Sequence, residues 1–212
     1  MDPIFEKTFA ERSYGFRPGR SCKDALRVVD ALLKKGYTHV VDVDYKNYFD
    51  TIPREPLMRR VEEQISDGRV LDLLRLLLEQ DVMEGMRQWT PEEGTPQGAV
   101  ISPLLANIYL NPLDHLLAAR GMEMIRYADD LVVLCQSRQQ ADEVLQLLRT
   151  WSAEAGLTLH PQKTKIVDVN EPGAGFDFLG YHFERDRKTP RKKSLVKFKD
   201  RIRELTPRKS GR

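Results

Sequence analysis

Asp129 and Asp130 stand side by side in Met124-Ile125-Arg126-Tyr127-Ala128-Asp129-Asp130-Leu131-Val132-Val133-Leu134, between two short apolar runs. Neighbouring carboxylates repel each other, and holding both on a packed sheet costs free energy unless a cation answers them. A third acid lies upstream. Thr38-His39-Val40-Val41-Asp42-Val43-Asp44 alternates like a strand, with Asp42 and Asp44 on one face and Val41 and Val43 on the other. A strand that ends in an acid and runs into Tyr45-Lys46-Asn47-Tyr48-Phe49-Asp50 is unusual for a purely structural segment. Asp44, Asp129 and Asp130, brought to one sheet end, would form a hard oxygen site. Such a site suits Mg²⁺ and leaves positions open for phosphate. Two such ions can activate an attacking hydroxyl and stabilise a leaving pyrophosphate. Taken alone, the Ala-Asp-Asp turn is equally well explained by the preference of aspartate for turns.

For the acids to meet, the elements carrying them must be neighbours. The apolar runs flanking Ala128 have strand length and composition, so the acids are expected at the tip of a hairpin. Around it the pattern gives strand 38–44, helix 102–118, strand 122–127, strand 131–135, helix 139–154 and strand 164–169. This is the split β-α-β-β-α-β order, an α+β antiparallel sheet with helices on one face. In that topology the first strand can lie beside the central hairpin. Ser21, with Asp24 three residues on, opens a helix that Gly36 ends. Helices around 54–66 and 69–80 supply core surface, and 81–90 is a small hairpin. Ser102-Pro103 starts a helix that Pro112 is expected to kink or interrupt. Phe176 to Phe183 reads as an aromatic-rich hairpin.

The 212 residues allow one medium domain or two small ones, and 41% apolar residues suffice for a core. No apolar stretch is long enough to span a bilayer. The start of the chain has no basic-then-apolar pattern, so no signal peptide is expected. Cys22 and Cys135 lack metal-ligand spacing and read as buried thiols in a reducing compartment. The net charge of +2 hides an asymmetry, because residues 185–212 hold 13 Lys and Arg against 3 Asp and Glu. A basic segment on an acid-clustered domain suits a polyanionic partner. A solvated tail is the alternative. Arg12-Ser13-Tyr14-Gly15-Phe16-Arg17-Pro18-Gly19-Arg20 could present guanidinium groups to phosphate, or be a loop packed by its two aromatics.

Six blocks, in order, resemble the reverse transcriptases encoded by group II introns. They are Ser13-Tyr14-Gly15-Phe16-Arg17-Pro18-Gly19-Arg20-Ser21, Asp44-Tyr45-Lys46-Asn47-Tyr48-Phe49-Asp50, Gly94-Thr95-Pro96-Gln97-Gly98-Ala99-Val100-Ile101-Ser102-Pro103, Tyr127-Ala128-Asp129-Asp130, Gly156 through Lys165, and Phe178-Leu179-Gly180-Tyr181. The resemblance implies a right-hand polymerase palm with partial fingers, acting as an RNA-directed DNA polymerase. The divisions it suggests are 1–36 for the fingers, 37–184 for the palm and 185–212 for a basic linker toward a thumb. Asp44, Asp129 and Asp130 match the catalytic, metal-binding acids, with two Mg²⁺ ions as cofactors and Mn²⁺ as a substitute. Tyr45, Phe49, Gln97, Lys163 and Lys165 match nucleotide-binding positions, Phe49 being the aromatic gate against a ribose 2′-hydroxyl. Arg17, Arg20, Gly98, Phe178, Leu179, Gly180 and Tyr181 match template or primer contacts. The implied partners are an RNA template, a DNA primer and dNTPs, in a cytoplasmic, nucleoid-associated setting.

Two departures from the family pattern are expected to matter. Segments that normally precede Asp2 and follow Lys209 do not match, as in an internal fragment or truncated product. Loss of phosphate-positioning groups would weaken catalysis, because phosphoryl transfer depends on positioning and electrostatics. An RNA-binding maturase-type splicing factor with an idle polymerase site is the competing expectation.

Overall fold

A computed structural model describes residues 1–79, 82–84, 87–89, 93–95 and 99–206, with only the backbone of 82–84 and 87–89. The chain opens with a short helix, α1 (Asp2–Phe5), and then α2 (Cys22–Lys34). Ser21 and Asp24 form the expected reciprocal cap of α2. Next come β1 (His39–Val43), the single-turn α3 (Tyr48–Thr51), α4 (Arg54–Glu62) and α5 (Gly68–Leu78). A hairpin of β2 (Val82–Glu84) and β3 (Arg87–Trp89) leads toward α6 (Ser102–Ala119). Then follow β4 (Glu123–Tyr127), β5 (Asp130–Cys135), α7 (Arg138–Glu154) and β6 (Lys165–Asp168). The end of the chain forms β7 (Phe176–Phe178), β8 (Tyr181–Phe183), β9 (Lys188–Pro190) and α8 (Lys192–Leu205).

The main sheet runs β4-β5-β1-β6. All its pairings are antiparallel, with Val41 opposite Val133 and Val40 opposite Val167. The split β-α-β-β-α-β reading therefore holds, and β1 lies against the central hairpin as that topology requires. Side-chain alternation divides two cores. Val41, Val43, Leu131 and Val133 face a large cluster with residues of α4, α5, α6 and α7. Val40, Ile125, Val132 and Leu134 face a second cluster built from α2 and the β7–β8 hairpin.

Several expectations change. Cys22, read as a buried thiol, is exposed at the start of α2, whereas Cys135 is buried. Helices do not keep to one face, because the buried side of α2 (Ala25, Leu26, Val29, Leu32, Leu33) covers the sheet face opposite α6 and α7. Residues 22–34, expected within the fingers, thus belong to the sheet's own packing. Pro112 does not interrupt α6, which runs on to Ala119. Buried Leu105, Tyr109, Leu110, Leu113 and Leu117 hold the helix across the missing amide. The described part of the segment expected as a basic linker, 185–206, holds an edge strand on β8 and a helix. Among the described residues no helix is long and apolar enough to cross a membrane.

Candidate active site

The β4–β5 hairpin closes on Tyr127 opposite Asp130, so its turn is Ala128-Asp129. Ala128 adopts a positive φ of 59°, at a turn position that favours glycine. Asp130 opens β5 on the same sheet face as Val132, and Asp42 pairs with Val132 across the ladder. Period-two alternation places Asp42 and Asp44 on that face too. All four acids line one cleft of about 1050 Å³ between the main sheet and the β7–β8–β9 sheet.

Asp44 is anchored by its backbone. Its amide donates to Thr164 Oγ1 at 3.3 Å, and its carbonyl accepts from the His160 amide at 2.7 Å. Its carboxylate accepts from Lys163 Nζ at 3.2 Å. Lys165 stands opposite Asp42 in the β1–β6 register. On the far wall, Leu179 and Gly180 form the two-residue turn between Phe178 and Tyr181, with φ of 48° and 82°. A leucine in the left-handed region is strained backbone. Its amide points at Asp130 Oδ2, 3.4 Å away.

The cleft's electrostatics follow. Burial pushes Asp130 up to about 7, the Leu179 amide opposes this, and Asp42, Asp129 and Asp44 add to it. Asp129 is raised by burial and by Asp44, against its own backbone amide and Arg126. Burial likewise lifts Asp42 to about 6, with Lys165 pulling the other way. Burial of neighbouring carboxylates, with their mutual repulsion as the smaller cause, produces this pattern. The donor set therefore fits a hard divalent ion in kind. It is not closed around one: among the described residues no three His, Cys, Asp or Glu side chains are gathered as a ready metal cage. Lys163 takes the Asp44 carboxylate instead.

The remaining expected residues divide. Lys163, Lys165, Leu179 and Gly180 line the cleft with the acids. Tyr45 also borders the cleft, but the residue is buried and its hydroxyl meets Ser152 Oγ at 3.2 Å. Phe49 sits half-buried on α3, edge-on to Tyr48 at 5.5 Å, and its carbonyl accepts the Thr95 amide at 2.7 Å. Gln97 and Gly98 lie outside the described residues. Phe178 is buried in the second core, and Tyr181 is exposed. Arg17 turns inward, to Glu6 and to the carbonyls of Ala10 and Ser13, both at 2.7 Å. Its placement is that of a packing residue. Arg20 lies over the Tyr14 ring at 5.5 Å.

Motif reading missed what lies behind the acidic turn. Arg126 is fully buried and donates to the Ala128 carbonyl at 2.7 Å and to Asp114, Asn107 and Ser13 at 2.8 Å each. The one signal in the sequence is a charged residue inside the buried stretch of a strand, following Met124 and Ile125. On the far wall, His182 bonds Asp177 at 2.8 Å and Arg191 lies 3.5 Å from the same carboxylate.

An antiparallel sheet of this order, with acids at the end of its first strand and at the tip of its central hairpin, is the palm of a right-hand polymerase. A family model described as reverse transcriptase (RNA-dependent DNA polymerase) matches residues 1–183. The chain belongs to that family. It is 33% identical to Protein YkfC of Escherichia coli strain K12, over 88% of this chain and 58% of that one. It is also 33% identical to the group II intron-encoded protein LtrA of Lactococcus lactis subsp. cremoris, over 62% of this chain and 22% of LtrA. The chain thus spans only part of the length of these relatives, and the second bears out the intron-type resemblance. Among solved structures, apo telomerase from Candida tropicalis superposes with a TM-score of 0.69 over 91% of this chain and 39% of that one. At 14% identity that likeness speaks for the fold alone.

Proposed function

We infer that this chain is the nucleotidyl-transfer core of an RNA-directed DNA polymerase of the group II intron type, adding dNMP to a primer 3′-hydroxyl. The observation that carries this is the convergence of Asp44, Asp129 and Asp130 on one cleft of a reverse transcriptase palm. These three residues would hold two Mg²⁺ ions, with Mn²⁺ as a substitute, which when bound supply charge stabilisation for the attacking and leaving oxygens. Lys163 and Lys165, on the rim, place positive charge where a triphosphate enters. The Leu179-Gly180 turn bears on the acids from the primer side, with Tyr181 exposed beside it. Phe49 gates the sugar, and Gln97 and Gly98 belong to the adjoining template loop. Of the two arginines expected at the template, Arg20 is the candidate that remains once Arg17 turns inward. Residues 37–184 form the palm, and 1–36 contribute to the fingers and, through α2, to the packing of the palm sheet. An RNA template, a DNA primer and dNTPs are the substrates, in the cytoplasm beside nucleic acid.

Primer extension on an RNA template with Mg²⁺ tests this. Extension should fall below detection in Asp129→Ala, and activity that survives the change rules the site out. The maturase-type reading draws on the exposed, basic α8, and RNA binding without extension would favour it.

A further inference from the structure

We propose that Arg126 is a positioning residue for the acidic turn: from beneath the hairpin it fixes the Ala128 carbonyl, and so sets where Asp129 and Asp130 present their carboxylates. The inference rests on the metal-binding reading of those acids.

The guanidinium is enclosed completely, and so is the Asp114 side chain. Burying an ion pair is expensive and seldom improves stability over well-packed apolar residues. Its presence under the cleft therefore calls for another reason, and the bonds supply one. One nitrogen of Arg126 divides between the Ala128 carbonyl at 2.7 Å and Asn107 Oδ1 at 2.8 Å. A second reaches Ser13 Oγ, and the third grips Asp114. Asn107 extends the network, donating to the Gly15 carbonyl at 2.8 Å. The backbone of residues 12–14 meets the same strand, with the Arg126 amide on the Arg12 carbonyl at 3.1 Å and the Tyr14 amide on the Arg126 carbonyl at 2.8 Å. A planar fork with five donors can satisfy this set, and an ammonium cannot.

Two further observations point at the turn. Ala128 is held at positive φ, a conformation that persists only when its surroundings impose it. Gly15 lies hard against it, so that a Cβ there would fall 2.2 Å from the Ala128 nitrogen. Segment 12–17, whose arginines suggested phosphate contact, thus works as a backing plate for the hairpin. Groups behind metal ligands commonly change metal affinity by about 10–100-fold when removed.

Two variants test the role in the 212-residue chain. In Arg126→Met/Asp114→Leu the pair becomes apolar at similar volume, and in Gly15→Ala a methyl group pushes the turn with every charge left in place. Mn²⁺ affinity is read by electron paramagnetic resonance of the free ion, with Asp129→Ala as the reference for loss of the site. Hydrogen exchange across 127–131 is read without metal. Both variants should bind Mn²⁺ about tenfold more weakly and exchange faster at the turn. Their kcat should fall, while KM for primer–template stays the same. Should the double variant fail to fold, Gly15→Ala decides. Parent-like affinity and exchange in the variants, against an Asp129-dependent site in the parent, would overturn the positioning role alone. Absence of any Asp129-dependent Mn²⁺ site in the parent would overturn the metal reading and this role with it.

Discussion

Asp130 shows at the scale of one residue what the cleft demands. Burial and the neighbouring acids lift its carboxyl to about 7, far above the roughly 3.9 of a free aspartate. The folded chain therefore binds this proton more tightly than the unfolded chain does. The resulting penalty is absent below about pH 4 and complete above about pH 7. Without metal, the melting temperature of the parent should fall across that window more steeply than that of Asp130→Asn, and divalent ions should restore the parent at the upper end. Equal slopes in thermal scans would refute the assignment. Phe49 offers a second check at this scale. Phe49→Val should raise rNTP incorporation relative to dNTP by about tenfold or more, a change of at least ~1.4 kcal/mol in discrimination. An unchanged ratio sinks the gate. The acids were legible only in combination, because a strand ending in Asp44 and the split strand order add to an Ala-Asp-Asp turn that alone reads equally well as structural. Arg17 and the Tyr45 ring were not, since composition does not say which way a side chain turns.

At the scale of elements, the capped start of α2 and the hairpins could be read from local chemistry. The persistence of α6 through Pro112 could not, because it depends on buried partners distant in the chain. The basic C-terminal stretch was read from charge alone and turned out to hold two elements. β9 completes the small sheet, whereas α8 buries none of its residues. Changing Lys192, Lys193, Lys197 and Lys199 to alanine should therefore spare the fold. It should reduce the salt dependence of RNA binding, by about 0.7–0.9 in log–log slope for each phosphate no longer neutralised. An unaltered slope would take α8 out of the RNA-binding surface.

Across the whole molecule, strand order was recoverable because period-two alternation and the split topology leave few arrangements. What escaped was the second layer. α2 and the aromatic hairpin close the sheet face that the acids share, and nothing local marks α2 as a lid rather than a separate lobe. The result is a cleft with acids on its floor and Lys163, Lys165, Arg187 and Arg191 around it, a polarity suited to a polyanion held against a cationic rim.

The tips of two hairpins confront one another, Ala128-Asp129 from the main sheet and Leu179-Gly180 from the small one. Each is a two-residue reversal, and each contains a non-glycine residue in left-handed backbone. Ladder pairing fixes which atoms reach the gap, and a single inserted amino acid would swap inward for outward along a strand. The rim is consequently far more sensitive to length than to side-chain identity. Natural variation by insertion or deletion should collect in stretches such as 170–175 and spare these two reversals.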